Sequence, residues 1–342
     1  MGDDARPIEE RQQQVLKAVV HEFTQSGVPV GSQALVSRYF LNLSSATIRH
    51  ELAELVEHGY LVQPHTSAGR VPTDQGYRYF VDFLMDTEPV PRNVRAYIDE
   101  ELRSAPADTQ SLVERAATTI ANVTQNASLV TAPSGAIARI KHVDLVSLEP
   151  RLVLLILLVE GNVLRQQVVK LNAPAAQDRL SKLAQRVNHE LAGKNRDDIA
   201  VLTPKGLEKE VLTHIEALLQ QLERGGETMV VHDGVRNLLA QPEFSEATRI
   251  KEVLEVLEES RYLAGVLQQL VADADVQIVI GSENVTSQLR TCTVMLTTYG
   301  PSPRVKGVLG VIGPTRMRYG QVVGRLRAVA KAASQRMAQL SA

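Results

Sequence analysis

Residues 44–84 read SSATIRHELAELVEHGYLVQPHTSAGRVPTDQGYRYFVDFL. Ile48, Leu52, Leu55 and Val56 fall on one stripe of a helical wheel, which predicts an amphipathic helix capped by Ser44 and stopped by Gly59. Ala46, Thr47 and His50 lie opposite that stripe at 3.6 residues per turn. YLVQ then reads as a short strand, PHTSAGR as a turn and RVPT as a return strand. GYRYFVDFLM starts a further helix, with Tyr79, Phe80, Phe83 and Leu84 expected to face inward.

Upstream, Val15, Leu16, Val19, Val20 and Phe23 predict a helix from Glu9 to Ser26, ended by Gly27. GVPVGS is turn-like, and Ser32 can cap a second, short helix, SQALVSRYF. A short helix, a tight connection and a helix with small polar residues on its outer face form the helix-turn-helix pattern. In that motif the second helix enters the major groove, and its N-terminal residues meet base edges. Ala46, Thr47 and His50 are the candidate base readers, with Ser44, Ser45 and Arg49 placed for phosphate. The strand, turn and return strand then form a wing that carries His65, Thr66, Ser67 and Arg70, with Arg78 just beyond. The same pattern also arises in all-α proteins that bind no DNA, and a Gly/Pro turn is often only a turn.

Charge argues against tight binding by one copy. Residues 1–85 hold 7 Lys/Arg and 10 Asp/Glu, whereas phosphate neutralisation by cations drives non-specific affinity. Such a head needs a partner subunit or further basic surface. The chain as a whole has 342 residues, a net charge of −2 and one cysteine. That length predicts about 2–3 domains, and a lone thiol fits a reducing, cytoplasmic setting. The N-terminus, MGDDARPIEE, is acidic where an export signal is basic and then apolar. The longest apolar run, LVLLILLV at 152–159, is far short of the roughly 20 residues of a membrane helix.

Residues 86–105 read as a linker into a helix, and 109–127 as another helix. IKHVDLVSLEP, RLVLLILLVEG and NVLRQQVVKL are three consecutive strands, the middle one apolar on both faces as a central strand is. Residues 176–192 and 206–223 look helical, TMVVH reads as a strand, and VRNLLAQ, EATRIKEVLEVLEE and YLAGVLQQL as helices. VQIVIGSEN, CTVMLTTYG and VKGVLGVIGP are three more strands before a final helix from about Tyr319 to Leu340. Two sets of three strands around a helix-rich block predict one α+β domain interrupted by an insertion.

Residue chemistry points away from an enzyme, and no cofactor is expected. GVLGVIGP matches neither a dinucleotide fingerprint nor a P-loop, so Gly307, Gly310 and Gly313 read as turn and strand-packing residues. His142, His189, His214 and His232 lack metal-ligand spacing, and no metal is expected. Asp273 and Asp275 read as a solvated turn, and Cys292 as a buried, inert thiol. Residues 284–342 hold 9 Lys/Arg and no carboxylate. Arg316, Arg318, Arg325 and Arg327 could there cover a solvated helix, pair with acidic residues of the middle segment, or add phosphate contacts.

Residues 44–84, and above all QPHTSAGRVPT followed by GYR, resemble the N-terminal domain of the heat-inducible transcription repressor family HrcA. IVIGSEN at 278–284 and GVLGVIGPTRMRY at 307–319 are similar to the same family's C-terminal signature. His50 stands where that family more often has asparagine, and Arg318 where an acidic residue is common. The resemblance implies a winged-helix head at 1–88, a GAF-like α+β domain at 89–172 and 255–342, and an inserted, helix-rich dimerising domain at 173–254. It implies a homodimer that binds an inverted-repeat operator of chaperone operons, kept active by the chaperonin and inactivated by heat. Two alternatives stand beside this: the same head governed by a small-molecule effector in the GAF-like domain, and a chaperonin-dependent scaffold whose head has lost DNA binding.

Overall fold

The computed structural model describes residues 8–65, 68–133, 138–160, 163–223, 230–244, 247–258, 275–302 and 305–341. The expected helix YLAGVLQQL, Asp273, Thr66 and Ser67 lie outside them. The chain is a mixed α+β protein. It begins with α1 (Glu10–Ser26), α2 (Ser32–Arg38) and α3 (Ser45–Glu57). A two-stranded antiparallel ribbon follows, β1 (Leu61–Val62) with β2 (Val71–Pro72). The Glu9 backbone N–H donates to Gln12 at 3.2 Å in a capping box at the start of α1. Val15, Leu16 and Val19 of α1 pack with Leu35 of α2 and with Ile48, Leu52 and Leu55 of α3 in one core.

Helix α4 (Asp74–Tyr79) runs into a π-helical turn, Phe80–Leu84. That wider turn breaks the 3.6-residue spacing. Phe80 is buried as expected, but Phe83 is 71% exposed rather than inward-facing.

The body follows with α5 (Arg92–Arg103), α6 (Thr109–Thr124) and β3 (Ala127–Thr131). A meander of β4 (Ile140–Glu149), β5 (Leu152–Val159) and β6 (Val163–Lys170) precedes α7 (Gln177–Leu191), α8 (Arg196–Ala200) and α9 (Leu207–Glu223). The chain returns through β7 (Val230–Asp233), α10 (Val235–Leu239) and α11 (Ala247–Glu258). It ends with β8 (Gln277–Ile280), β9 (Cys292–Ser302), β10 (Val305–Pro314) and α12 (Tyr319–Ser341).

Strand pairing departs from the expected grouping. The two sets of three strands share no sheet. β4, β5 and β6 form their own three-stranded sheet, while β8, β9 and β10 belong to a five-stranded sheet of order β7-β3-β10-β9-β8. In chain order, the separate β4–β6 sheet falls between β3 and β7 of the five-stranded sheet. β3 was the missing element: it is buried at all five residues, so it shows no alternation and reads as the tail of α6. The meander has its own core, where Val153, Leu155 and Leu157 of β5 meet Leu180, Leu183, Ile215 and Leu219 from α7 and α9.

In the five-stranded sheet, alternate residues serve two cores. Val130, Leu309, Val311 and Met295 face a layer that includes α6 and α12. Leu129, Ile312, Val294 and Leu296 face Leu238, Phe244 and Val256 on the other side. Gly307 and Gly313 are tight packing positions, as expected: a Cβ there would meet the Tyr299 ring at 2.5 Å and the Asn126 amide oxygen at 2.2 Å. Helix α12 is a core helix rather than a solvated one, with Val322, Val323, Leu326, Val329 and Ala333 buried. Among the described residues, no helix is long and apolar enough to cross a membrane.

Candidate nucleic-acid interface

Ser44 caps α3: its hydroxyl accepts the Thr47 N–H at 3.0 Å and lies 2.9 Å from the Thr47 hydroxyl. The Ser45 hydroxyl meets that of Ser32, the first residue of α2, at 2.9 Å, which fixes the angle between the two helices at their N-terminal ends. With Ile48, Leu52 and Leu55 turned into the core, Ala46, Arg49 and His50 are exposed and Thr47 is half-exposed. The outer face of α3 therefore offers a methyl, a hydroxyl, an imidazole and a guanidinium in its first two turns. His50 Nε2 lies 4.0 Å from Glu54, one turn on.

The ribbon is fastened to the head on its return side. Arg70 and Val30 exchange two backbone hydrogen bonds of 2.9 and 2.8 Å, so the α1–α2 loop lines up beside β2. Gly69 allows that approach, because a Cβ there would lie 2.5 Å from the Val30 carbonyl. Arg70 donates weakly to the Ala68 carbonyl at 3.4 Å, and its Nε is buried without a partner. His65 is exposed at the turn, with its carbonyl accepting the Ala68 N–H at 2.8 Å.

From Thr73 onward the same stretch does something else. Thr73 caps α4 by accepting the Gly76 N–H at 3.1 Å, and donates to the Gly59 carbonyl at 2.6 Å. A Cβ at Gly76 would lie 2.1 Å from the Tyr60 carbonyl oxygen, so only glycine lets α4 pack against the end of α3. Asp74 and Arg78, one turn apart on α4, then reach the body. The Asp74 carboxylate accepts the Ser282 N–H at 2.8 Å. Arg78 donates to both Glu283 carboxylate oxygens, at 2.7 and 2.5 Å, and to the Ile278 carbonyl at 2.6 Å. Glu283 also accepts the Ile280 N–H at 2.8 Å. Arg78 is thus committed to the body rather than joined with the other expected phosphate contacts.

Aromatic rings complete this joint. Tyr77 packs against Tyr319 with centroids 5.6 Å apart, and Phe80 meets the same ring edge-on at 6.4 Å. Tyr319 is held by Thr293, whose hydroxyl is 3.1 Å from its own, and by the Thr315 carbonyl at 2.6 Å. On α1, burial and then Lys17 push the His21 imidazole below its ordinary pKa, and its ring packs on Phe80 at 5.8 Å. Arg316 pairs with Glu243 and donates to the Thr24 carbonyl at 3.4 Å. Both C-terminal stretches singled out in the sequence, GSEN and GPTRMRY, therefore grip the head. The available signal was the pair Asp74 and Arg78, whose spacing suits one docking face of α4.

The charge question also resolves by residue. Arg11, Lys17, Arg38 and Arg78 form ion pairs with Glu51, Asp86, Glu22 and Glu283. Among the described residues, Arg49 and Arg70 are the head's cations outside such pairs. In the basic tail, Arg316 and Arg327 pair with Glu243 and Asp275.

Comparison with known proteins places the chain in a family. A family profile described as HrcA protein C terminal domain matches residues 110–323. A heat-inducible transcription repressor HrcA of Roseiflexus castenholzii is 36% identical over 97% of this chain and 95% of its own length. The repressor of that name from Thermomicrobium roseum is also 36% identical, over 97% and 96%. A solved structure of a hypothetical protein shares the fold, with a TM-score of 0.61 at 24% identity over 98% of this chain and 99% of that one. With this profile match and these near-full-length likenesses, the chain belongs to the HrcA family, whose relatives here are named heat-inducible transcription repressors.

Proposed function

We propose that this chain is a cytoplasmic, dimeric, non-enzymatic repressor of heat-shock operons that binds an inverted-repeat operator. The observation that carries the reading is the outer face of α3, capped by Ser44 and bearing exposed Ala46, Arg49 and His50 beside half-exposed Thr47. Read as a winged helix, α3 lies in the major groove, where Thr47 and His50 contact bases. Ser44, Ser45 and Arg49 meet phosphate, and the ribbon with His65, Thr66, Ser67 and Arg70 follows the backbone. Arg78 drops out of this set because it holds the joint.

Dimerisation is assigned to the meander rather than to a helical segment. Val146, Leu148, Leu164 and Val168 are exposed on its strands. Leu154 and Leu158 stand on the same face, paired with Val168 and Leu164 across the sheet. β5 is apolar on both sides because one side meets α7 and α9, and the other is left for a second copy. Family likeness adds the chaperonin as the partner that keeps the repressor folded, with heat withdrawing that help.

The test is a titration of purified protein on an inverted-repeat operator and on scrambled DNA, at two salt concentrations, with and without chaperonin and ATP. Selective, salt-dependent binding improved by chaperonin is expected. Equal affinity for both DNAs in every condition would remove DNA reading from the head.

A further inference from the structure

Three of the four arginines that stood out in the acid-free tail converge on one cavity. It measures about 320 Å³ and lies between the C-terminal ends of α1 and α6 and the start of α12. Arg316, Arg318 and Arg325 line it, and no carboxylate is among its lining residues. Arg316 is neutralised from behind by Glu243. Arg318 is exposed and forms no ion pair among the described residues. Arg325 donates to the Val123 carbonyl, while its Nε is buried without a partner.

We propose that this cavity binds a small phosphate-bearing anion, of the class of pyrophosphate and nucleoside phosphates. Arg318 and Arg325 face one half-open space, where an anion would accept charge-assisted hydrogen bonds from both, including the Arg325 Nε that is buried without a partner. Burial lowers the Arg325 pKa, Glu88 opposes it, and Arg318 adds a smaller lowering. The remaining walls suit the same ligand. Gln25 and Gln321 also line the cavity, and their side-chain amides carry N–H donors. Gln125 has a φ of 56°, the one non-glycine residue of positive φ among those described. That conformation is the left-handed C-cap of α6, whose backbone N–H donates to the Ala121 carbonyl. The volume matches the small end of ligand cavities.

The site spans two parts of the molecule. Thr24 and Gln25 belong to the head, whereas Arg318 and Arg325 belong to the body. A ligand touching both stabilises the docked arrangement in proportion to its preference for it. This surface is separate from the outer face of α3, and the inference does not rest on operator binding.

The test uses the full chain and inorganic pyrophosphate, with sodium chloride at matched ionic strength, read by thermal shift and calorimetric titration without DNA. A saturable rise in melting temperature is expected in pyrophosphate alone. Arg318→Gln, at an exposed position, should weaken the pyrophosphate Kd by about tenfold or more. Arg327→Gln, on α12 but outside the cavity, should leave it unchanged. Gln125→Gly should also weaken the anion while keeping or raising the melting temperature of the unliganded protein, because glycine accepts the left-handed backbone. A shift equal to that in chloride, or one Kd for wild type and Arg318→Gln, would overturn the proposal. So would an absence of pyrophosphate binding while Arg318→Gln weakens operator and scrambled DNA alike, since the arginines would then serve a duplex backbone.

Discussion

Ser44 and Thr47 sit on one turn of α3 but act on different quantities. The Ser44 hydroxyl satisfies the Thr47 N–H at the helix start, so Ser44→Ala should cost about 1 kcal/mol of stability. Thr47→Ala leaves that bond in place, because the donor is a backbone N–H. It should therefore leave the melting temperature nearly unchanged and cost about 1–3 kcal/mol on the operator only. Thermal melts beside titrations on operator and scrambled DNA separate the two. Equal loss on both DNAs for Thr47→Ala would place Thr47 outside base reading. Cys292 gives a second prediction. Burial pushes its thiol up to about 12, opposed in part by the Thr291 hydroxyl. Iodoacetamide at pH 8 should leave it unmodified in the folded chain and label it once denaturant unfolds the protein. The sign for stability follows: the folded thiol stays protonated while the unfolded one ionises, so stability falls as pH rises above the ordinary thiol range towards about 12. Residue types made this thiol legible, because TCTVML is an apolar, strand-like run in which a thiol is buried.

At the scale of elements, local pattern was enough where a cap, a stripe and a stop coincide. Helix α3 has Ser44, the stripe of Ile48, Leu52 and Leu55, and Gly59, and it forms where those residues place it. The pattern was insufficient where long-range pairing decides. β3 is defined by its neighbours β10 and β7, both far away in sequence, and its five buried residues carry no period of their own. The role of Arg78 was hidden for the same reason, since Glu283 is 205 residues distant. That pair yields a prediction about the joint. Glu283→Gln removes the charge from a bidentate, half-exposed pair but keeps an acceptor for the Ile280 N–H. It should lower stability by about 1–2 kcal/mol, less than a fully buried pair would. Limited proteolysis at residues 86–91, between α4 and α5, should become faster as the head detaches more often. An unchanged cleavage rate would mean that the Tyr77 and Phe80 packing on Tyr319 holds the head unaided.

At the scale of the whole molecule, charge and symmetry meet. The head's unpaired cations among the described residues are Arg49 and Arg70, so one head neutralises few phosphates. Two phosphates per head give a slope of log affinity against log salt of about −2, and a dimer about −4. A single copy on a half-site should therefore bind weakly and with shallow salt dependence, and avidity supplies the rest. Two heads spanning an inverted repeat need their recognition helices about 34–36 Å apart, or a multiple of that, and only a fixed dimer interface sets such a distance. The uncovered face of β4–β6 is where that interface is proposed, and a charge placed there tests it. Leu164 and Val168 are each 54% exposed, so lysine at either position is compatible with the folded monomer but not with an apolar contact between copies. Leu164→Lys with Val168→Lys should sediment as a monomer, keep its α-helical circular dichroism and melt cooperatively. Its operator affinity should fall by at least two orders of magnitude, consistent with lost avidity, and its salt slope should halve. A double variant that remains dimeric would move the interface off this sheet, and one that is monomeric yet binds the operator with the full slope would show that a single head carries phosphate contacts beyond Arg49 and Arg70.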